Sequence, residues 1–122
     1  MKENGWGRII NLTSNSIVLA VTGVSAYISS KMGIIAFTRG LASDLAGFGI
    51  TVNAVGPALT PSQAWEARGL PEVVVEATIA KQAIKRRGQT DDLVGIIAFL
   101  SSDDAAFITG QTMMADGGLA GM

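Results

Sequence analysis

The only tyrosine of this 122-residue sequence stands four positions before a lysine, in the stretch SAYISSK. A phenol and an amine at i and i+4 leave a helix from the same face, so Tyr27 and Lys31 can act on each other. A phenol ordinarily ionises near pH ~10, and bringing such a group to ~7 takes about 4 kcal/mol of selective stabilisation of the phenolate. An ammonium ~5 Å away supplies roughly 3 kcal/mol at an effective dielectric of ~20, before desolvation is subtracted. A bound cationic ring can add the rest. A neutral serine hydroxyl nearby, with Ser14 as the candidate, orients a carbonyl or alcohol oxygen. Such a constellation suits alcohol–ketone interconversion, with a hydride carrier supplied from elsewhere. The offset alone is a weak signal, because exposed Tyr/Lys pairs of no consequence are common. Position has to decide.

The elements that must provide that position are legible in outline. GRIINLTS (Gly7–Ser14) is a β-branched run without alternation, as in a strand buried on both faces of a parallel sheet. The connection Asn15–Ser25 is long for a βα loop, and long loops in compact domains tend to be functional. From about Ala26 to Phe48 the pattern is helical, and Ile34, Phe37, Leu41, Leu45 and Phe48 predict the buried stripe. A second buried strand is expected at Ile50–Gly56. The stretch that follows carries all three prolines and reads as a loop, with a short helix around Ala64–Arg68. Pro71 opens a helix expected to run to about Arg87, and Thr90 is the expected N-cap of another. Thr109–Gly118 reads as a third strand and a glycine turn.

Strand, helix, strand, helices, strand is the order of an α/β fold with parallel strands and right-handed crossovers. In open parallel sheets ligands bind beyond the C-terminal strand ends. Ser14, Tyr27, Lys31 and the loop after Gly56-Pro57 all belong to that edge.

Composition narrows the chemistry further. Apolar residues make up 48% and charged residues 16%, and nine basic against ten acidic residues give a net charge of −1. That balance predicts no nucleic-acid partner and no anionic-membrane partner. With no cysteine and no histidine, disulfides, thiolate metal sites, hydrolytic triads and zinc hydrolases are excluded, and no metal site is expected. The apolar run IVLAV is too short for a secretory leader, and no window reaches the length of a membrane span. A soluble, cytoplasmic protein is expected.

Several segments together resemble a known family. GRIINLTS, the thirteen-residue interval from Ser14 to Tyr27, YISSK, GITVNAVGP and FLSSDDAAFITGQTMMADGG occur in the order seen in the C-terminal half of short-chain dehydrogenases/reductases. The resemblance runs from about Gly7 to Gly118. It implies the C-terminal half of a Rossmann-like, doubly wound sheet, with three parallel strands and flanking helices. It further implies an oxidoreductase moving hydride between NAD or NADP and a small alcohol or carbonyl substrate. By resemblance, Ser14 orients the substrate, Tyr27 is the acid/base, and Lys31 tunes the tyrosine and holds the nicotinamide ribose. Pro57, Thr60 and Ser62 are the implied cofactor contacts after the second strand, with Ser62 at the usual spacing for the family's threonine and the backbone near Thr60 at the carboxamide.

Departures are also visible. Pro57 is followed by Ala58 where the family usually has glycine. The family's N-terminal glycine-rich turn, its NAD/NADP-selecting residue and its relay asparagine do not occur in these 122 residues. The chain therefore reads as a partial domain, 1–122, the catalytic half of an enzyme about twice as long, and nucleotide binding by these residues alone is expected to be weak. The competing expectation is an inactive remnant that serves only as a structural, oligomerising α/β module. Ser29, Ser30, Gly33, Ala36 and Gly40 would let another helix approach, and the resemblance implies a homo-oligomer through that helix. Elsewhere the expectations are structural. Lys85–Arg87 reads as a solvated helix end, Met113, Met114, Trp6 and Trp65 as core or interface packing residues, and Asn53 as a hydrogen-bonder within its strand. Asp116-Gly117-Gly118 reads as a turn.

Overall fold

The structure, a computed structural model, describes all residues except 20, 62–68, 70 and 122. Its regular elements are β1 (Gly7–Leu12), α1 (Ser25–Leu45), β2 (Ile50–Pro57), α2 (Glu72–Lys81), α3 (Val94–Ser101) and β3 (Thr112–Ala115). The expected helix at Ala64–Arg68 lies outside the described residues. The strands form one parallel sheet in the order β1-β2-β3. Gly7 pairs with Ile50 and Leu12 with Val55 on one side of β2, and Ala54 with Thr112 and Pro57 with Ala115 on the other.

Central β2 is buried along almost its whole length, which explains why its sequence shows no alternation. Its two faces feed two cores. Ile50 and Val52 pack with Ala42 and Leu45 of α1, joined by Ile9 and Leu41. Val55 packs with Leu100 of α3 and Ala105, joined by Ile10, Met113 and Ile108. A sheet covered on both faces is the open, doubly wound α/β arrangement expected from the order of elements. Asn53 is fully buried inside β2, yet it is satisfied. Its amide donates to the Ile108 carbonyl at 2.8 Å and its carbonyl accepts from Gln111 N–H at 3.1 Å.

The buried face of α1 matches the expected stripe at Leu45, with Leu41 packed beside it, and departs from it elsewhere. Ile35, Thr38, Ala42 and Leu45 face the sheet, whereas Phe37 is 61% exposed and Phe48 is also exposed. The helix is apolar on two sides, so spacing alone could not choose between them. The sheet takes the side with smaller residues, and Thr38 is tolerated there because its hydroxyl accepts from the Asn11 amide at 2.9 Å. A 3-10 turn, Ala46–Phe48, ends the helix, and Gly49 follows at φ 67°. A side chain at Gly49 would run into the Gly5 carbonyl, so this stop requires glycine.

Other boundaries also move. Pro71 sits before the first turn of α2, which ends at Lys81 and not near Arg87, because the chain at Gln82 turns extended. Residues Lys85–Arg87 therefore do not form a solvated helix end. Lys85 donates to the carbonyls of Ala80 and Gln82, Arg86 pairs with Asp92, and Arg87 pairs with Glu72. The N-cap is Gln89 instead of Thr90. Gln89 and Asp92 exchange side-chain-to-backbone bonds around the 3-10 turn Thr90–Leu93 that leads into α3. Within the expected strand and glycine turn Thr109–Gly118, the strand β3 is Thr112–Ala115, and Gly117 and Gly118 follow at positive φ. Trp6 lies at the surface, not in a core; its indole donates to Asp103 at 2.9 Å and Arg8 lies over its ring. Trp65 lies outside the described residues. Among the described residues, no helix is long and apolar enough to cross a membrane.

Candidate active site

The C-terminal end of β1 carries the site. Thr13 N–H extends the ladder by donating to Val55 O at 2.8 Å, while the Thr13 hydroxyl donates to the Lys31 carbonyl at 2.9 Å. These two bonds hold the early turns of α1 against the strand end. Lys31 completes the junction by donating from Nζ to the Leu12 carbonyl at 3.0 Å. One turn earlier on the helix, the Tyr27 ring centre lies 5.7 Å from Nζ, within cation–π range. Tyr27 is 40% exposed. The i, i+4 pair predicted by spacing is thus real, and the strand positions it.

Ser14 follows directly. Its backbone is extended, and its side chain caps the 3-10 turn Asn15–Ile17 by accepting from Ser16 N–H at 3.2 Å. Asn15 is buried, and its amide donates to Asp116 Oδ2 at 3.4 Å. Asp116 in turn accepts from Gly118 N–H at 3.1 Å and Ala120 N–H at 2.8 Å. One carboxylate therefore ties the loop after β1 to the turn after β3. In the sequence, Asn15 is only part of a connection; the local signal for this turn is the Ser-x-Ser spacing at a strand end, a frequent site of side-chain-to-backbone bonds.

The opposite part of the same edge holds Pro57, which ends β2, and Thr60, whose hydroxyl donates to Ala58 O at 3.3 Å. Ser62 lies outside the described residues. Thr60 lines a cleft of about 360 Å³ together with Gln82, Arg86, Asp92, Met114 and Gly117. Tyr27, Lys31 and Ser14 do not line it, so the cleft adjoins the β2–β3 side of the edge and not the phenol itself. The wall of the cleft is built by Gly117, whose carbonyl accepts from Ala83 and Ile84 N–H, both at 2.9 Å. Gly117 stands at φ 66°, and a Cβ there would meet the Gln82 amide at 2.7 Å. At the rim, Arg86 grips Asp92 with two bonds of 2.7 and 2.6 Å. That contact, with Gln89 N–H second, holds the Asp92 carboxyl down at about 2.

Residues 1–120 match a family model described as enoyl-(acyl carrier protein) reductase. The chain belongs to the short-chain dehydrogenase/reductase family. Among curated short-chain relatives, 3-oxoacyl-[acyl-carrier-protein] reductase of Pseudomonas aeruginosa is 37% identical over 119 residues, covering 98% of this chain and 47% of that protein. Acetoacetyl-CoA reductase of Shinella zoogloeoides is 38% identical, covering 97% and 48%. Among solved structures, a gluconate 5-dehydrogenase from Burkholderia cenocepacia, in complex with NADP and tartrate, superposes with a TM-score of 0.93 at 30% identity. That match covers 99% of this chain and 48% of the dehydrogenase. The short-chain fold and the three-stranded parallel sheet read from the sequence are therefore both present. The chain spans about half the length of the curated relatives it matches.

Proposed function

We propose that this chain carries the catalytic half of a short-chain oxidoreductase that interconverts a small alcohol and its carbonyl, with NAD or NADP as cofactor. The observation that carries the reading is the Tyr27–Lys31 pair, fastened to the Leu12 carbonyl one residue before Thr13-Ser14. The names of the relatives, reductases of acyl thioesters and a dehydrogenase of gluconate, support the reaction type.

The residues present fit the nicotinamide-ribose end of such a cofactor. Lys31 has three N–H donors, of which one is used on Leu12 O, so its ammonium can also serve a ribose hydroxyl and the phenolic oxygen. Pro57 and the hydroxyl of Thr60 stand at the end of β2, where the carboxamide would be held, with Ser62 as the further contact. When bound, the cofactor supplies hydride to the carbonyl carbon or accepts it from the alcohol. Tyr27 delivers the phenolic proton to the carbonyl oxygen during reduction and takes it back during oxidation. Ser14 holds that oxygen by a hydrogen bond. The Lys31 ammonium favours the phenolate left behind, by simple charge attraction at short range. The protein acts in the cytoplasm, as a homo-oligomer.

The test is turnover of acetoacetyl-CoA at millimolar NADH or NADPH. Tyr27→Phe should lower kcat about 10²–10⁴-fold, the usual worth of a positioned acid/base. Unchanged turnover in Tyr27→Phe would overturn the assignment of Tyr27. A folded chain with no turnover on any alcohol or carbonyl would favour the structural, oligomerising module instead.

A further inference from the structure

The surroundings of Ser14 Oγ contain a second hydroxyl that the proposed reaction does not use. Ser16 O–H donates to Ser14 Oγ at 2.9 Å, and Ser16 N–H reaches the same oxygen at 3.2 Å. A serine hydroxyl has one donor and two acceptor lone pairs. Both lone pairs of Ser14 are thereby engaged by a single neighbour, and what remains to Ser14 is its own O–H. We propose that Ser16 is a positioning residue that makes Ser14 a one-way hydrogen-bond donor to the substrate oxygen.

Two consequences follow from the geometry, both resting on the catalytic reading above. First, a hydroxyl that already accepts a hydrogen bond is a stronger donor, because linked hydrogen bonds polarise one another. Ser14 is therefore best able to stabilise an oxygen that gains negative charge during reduction. Second, a serine with a free lone pair could accept the Tyr27 proton in an unproductive bond. With both lone pairs engaged, the substrate oxygen is the acceptor left for that proton. The turn cannot easily rotate out of this arrangement. Asn15, between the two serines, is buried and tied to Asp116, which the Gly118 and Ala120 amides hold from the other side.

The experiment compares Ser16→Ala, which keeps the N–H but removes the hydroxyl donor, with Ser16→Thr, which restores it. Hα–Hβ couplings of Ser14 measured by NMR on the full chain without ligand report its rotamer, and the β1 and β2 amide signals report an intact fold. One fixed rotamer is expected in the parent chain and in Ser16→Thr, and averaged couplings in Ser16→Ala. Averaging in the parent chain, or a fixed rotamer in Ser16→Ala, overturns the proposal. In turnover of acetoacetyl-CoA, Ser16→Ala should lower kcat by about tenfold, the worth of one hydrogen bond, while KM holds. Ser16→Thr should recover the parent kcat. An unchanged kcat in Ser16→Ala, or an equal loss in Ser16→Thr, also overturns it. A parent chain without turnover counts against the catalytic reading only, since the couplings decide the placement of Ser14 by themselves.

Discussion

Arg86 and Asp92 set the acid limit of the cleft wall. The Arg86 guanidinium, and after it the Gln89 amide, hold Asp92 at about 2 where a carboxyl ordinarily stands at 3.8. A carboxyl whose folded value is depressed contributes its stabilisation above the unfolded value and loses it as pH falls through the folded one. The clasp should thus be complete above about pH 4 and open as pH approaches about 2. A carboxyl-detected NMR titration should place the Asp92 midpoint near 2, and Arg86→Gln should return it toward 3.8. An ordinary midpoint in the parent chain would show that the clasp does not form in solution. The Asn53 side chain works on the same scale in the core, where two bonds to backbone make a fully buried amide acceptable in a strand.

At the scale of elements, α1 presents two apolar stripes and the sheet uses one. Leu45 packs in the first core with Ile50 and Val52, whereas Phe37 points away from it. Leu45→Ala should lower unfolding free energy by about 2–4 kcal/mol, the usual sum of lost transfer energy and a residual cavity. Phe37→Ala in the monomeric state should change it by less than about 0.5 kcal/mol, as at other surface positions. Urea unfolding followed by circular dichroism distinguishes them. Equal losses at the two positions would contradict the face assigned to the sheet. The same argument makes Thr38 a sheet-facing residue that depends on Asn11 for its hydrogen bond.

The whole molecule leaves large apolar groups in water. Phe37, Met32, Val94 and Phe99 are exposed, and Phe107 is fully so. α3, with the sequence VGIIAFLS, is apolar nearly all round, a composition that suits a helix covered on every side. Exposed apolar area of this kind marks association surfaces. Sedimentation at low micromolar concentration should therefore show a species larger than the single chain. A compact monomer that melts cooperatively would show that these surfaces are tolerated in water. Residues 1–122 span about half the length of the curated short-chain relatives they match.

The sequence by itself determined what depends on local pattern and short intervals. The unbroken β-branched run of β2 is a strand buried on both faces. β1, expected to be the same, is only half-buried because it pairs on one side only. The alternation of strands with helices demanded a parallel sheet. The i, i+4 offset set Tyr27 beside Lys31, and the absence of histidine and cysteine left phenol, amine, hydroxyl and carboxylate groups for any chemistry. Tertiary structure decided whatever depends on contacts distant in sequence. The face of α1 turned to β2 followed from side-chain size and the Asn11–Thr38 bond, which no periodicity encodes. The end of α2 followed from the Gly117 carbonyl capturing the Ala83 and Ile84 amides, a partner more than thirty residues away. The tie between Asn15 and Asp116 joins residues 101 positions apart and holds the turn that Ser14 caps. Local propensity can state which groups are present; only closure of the chain brings their partners within bonding distance.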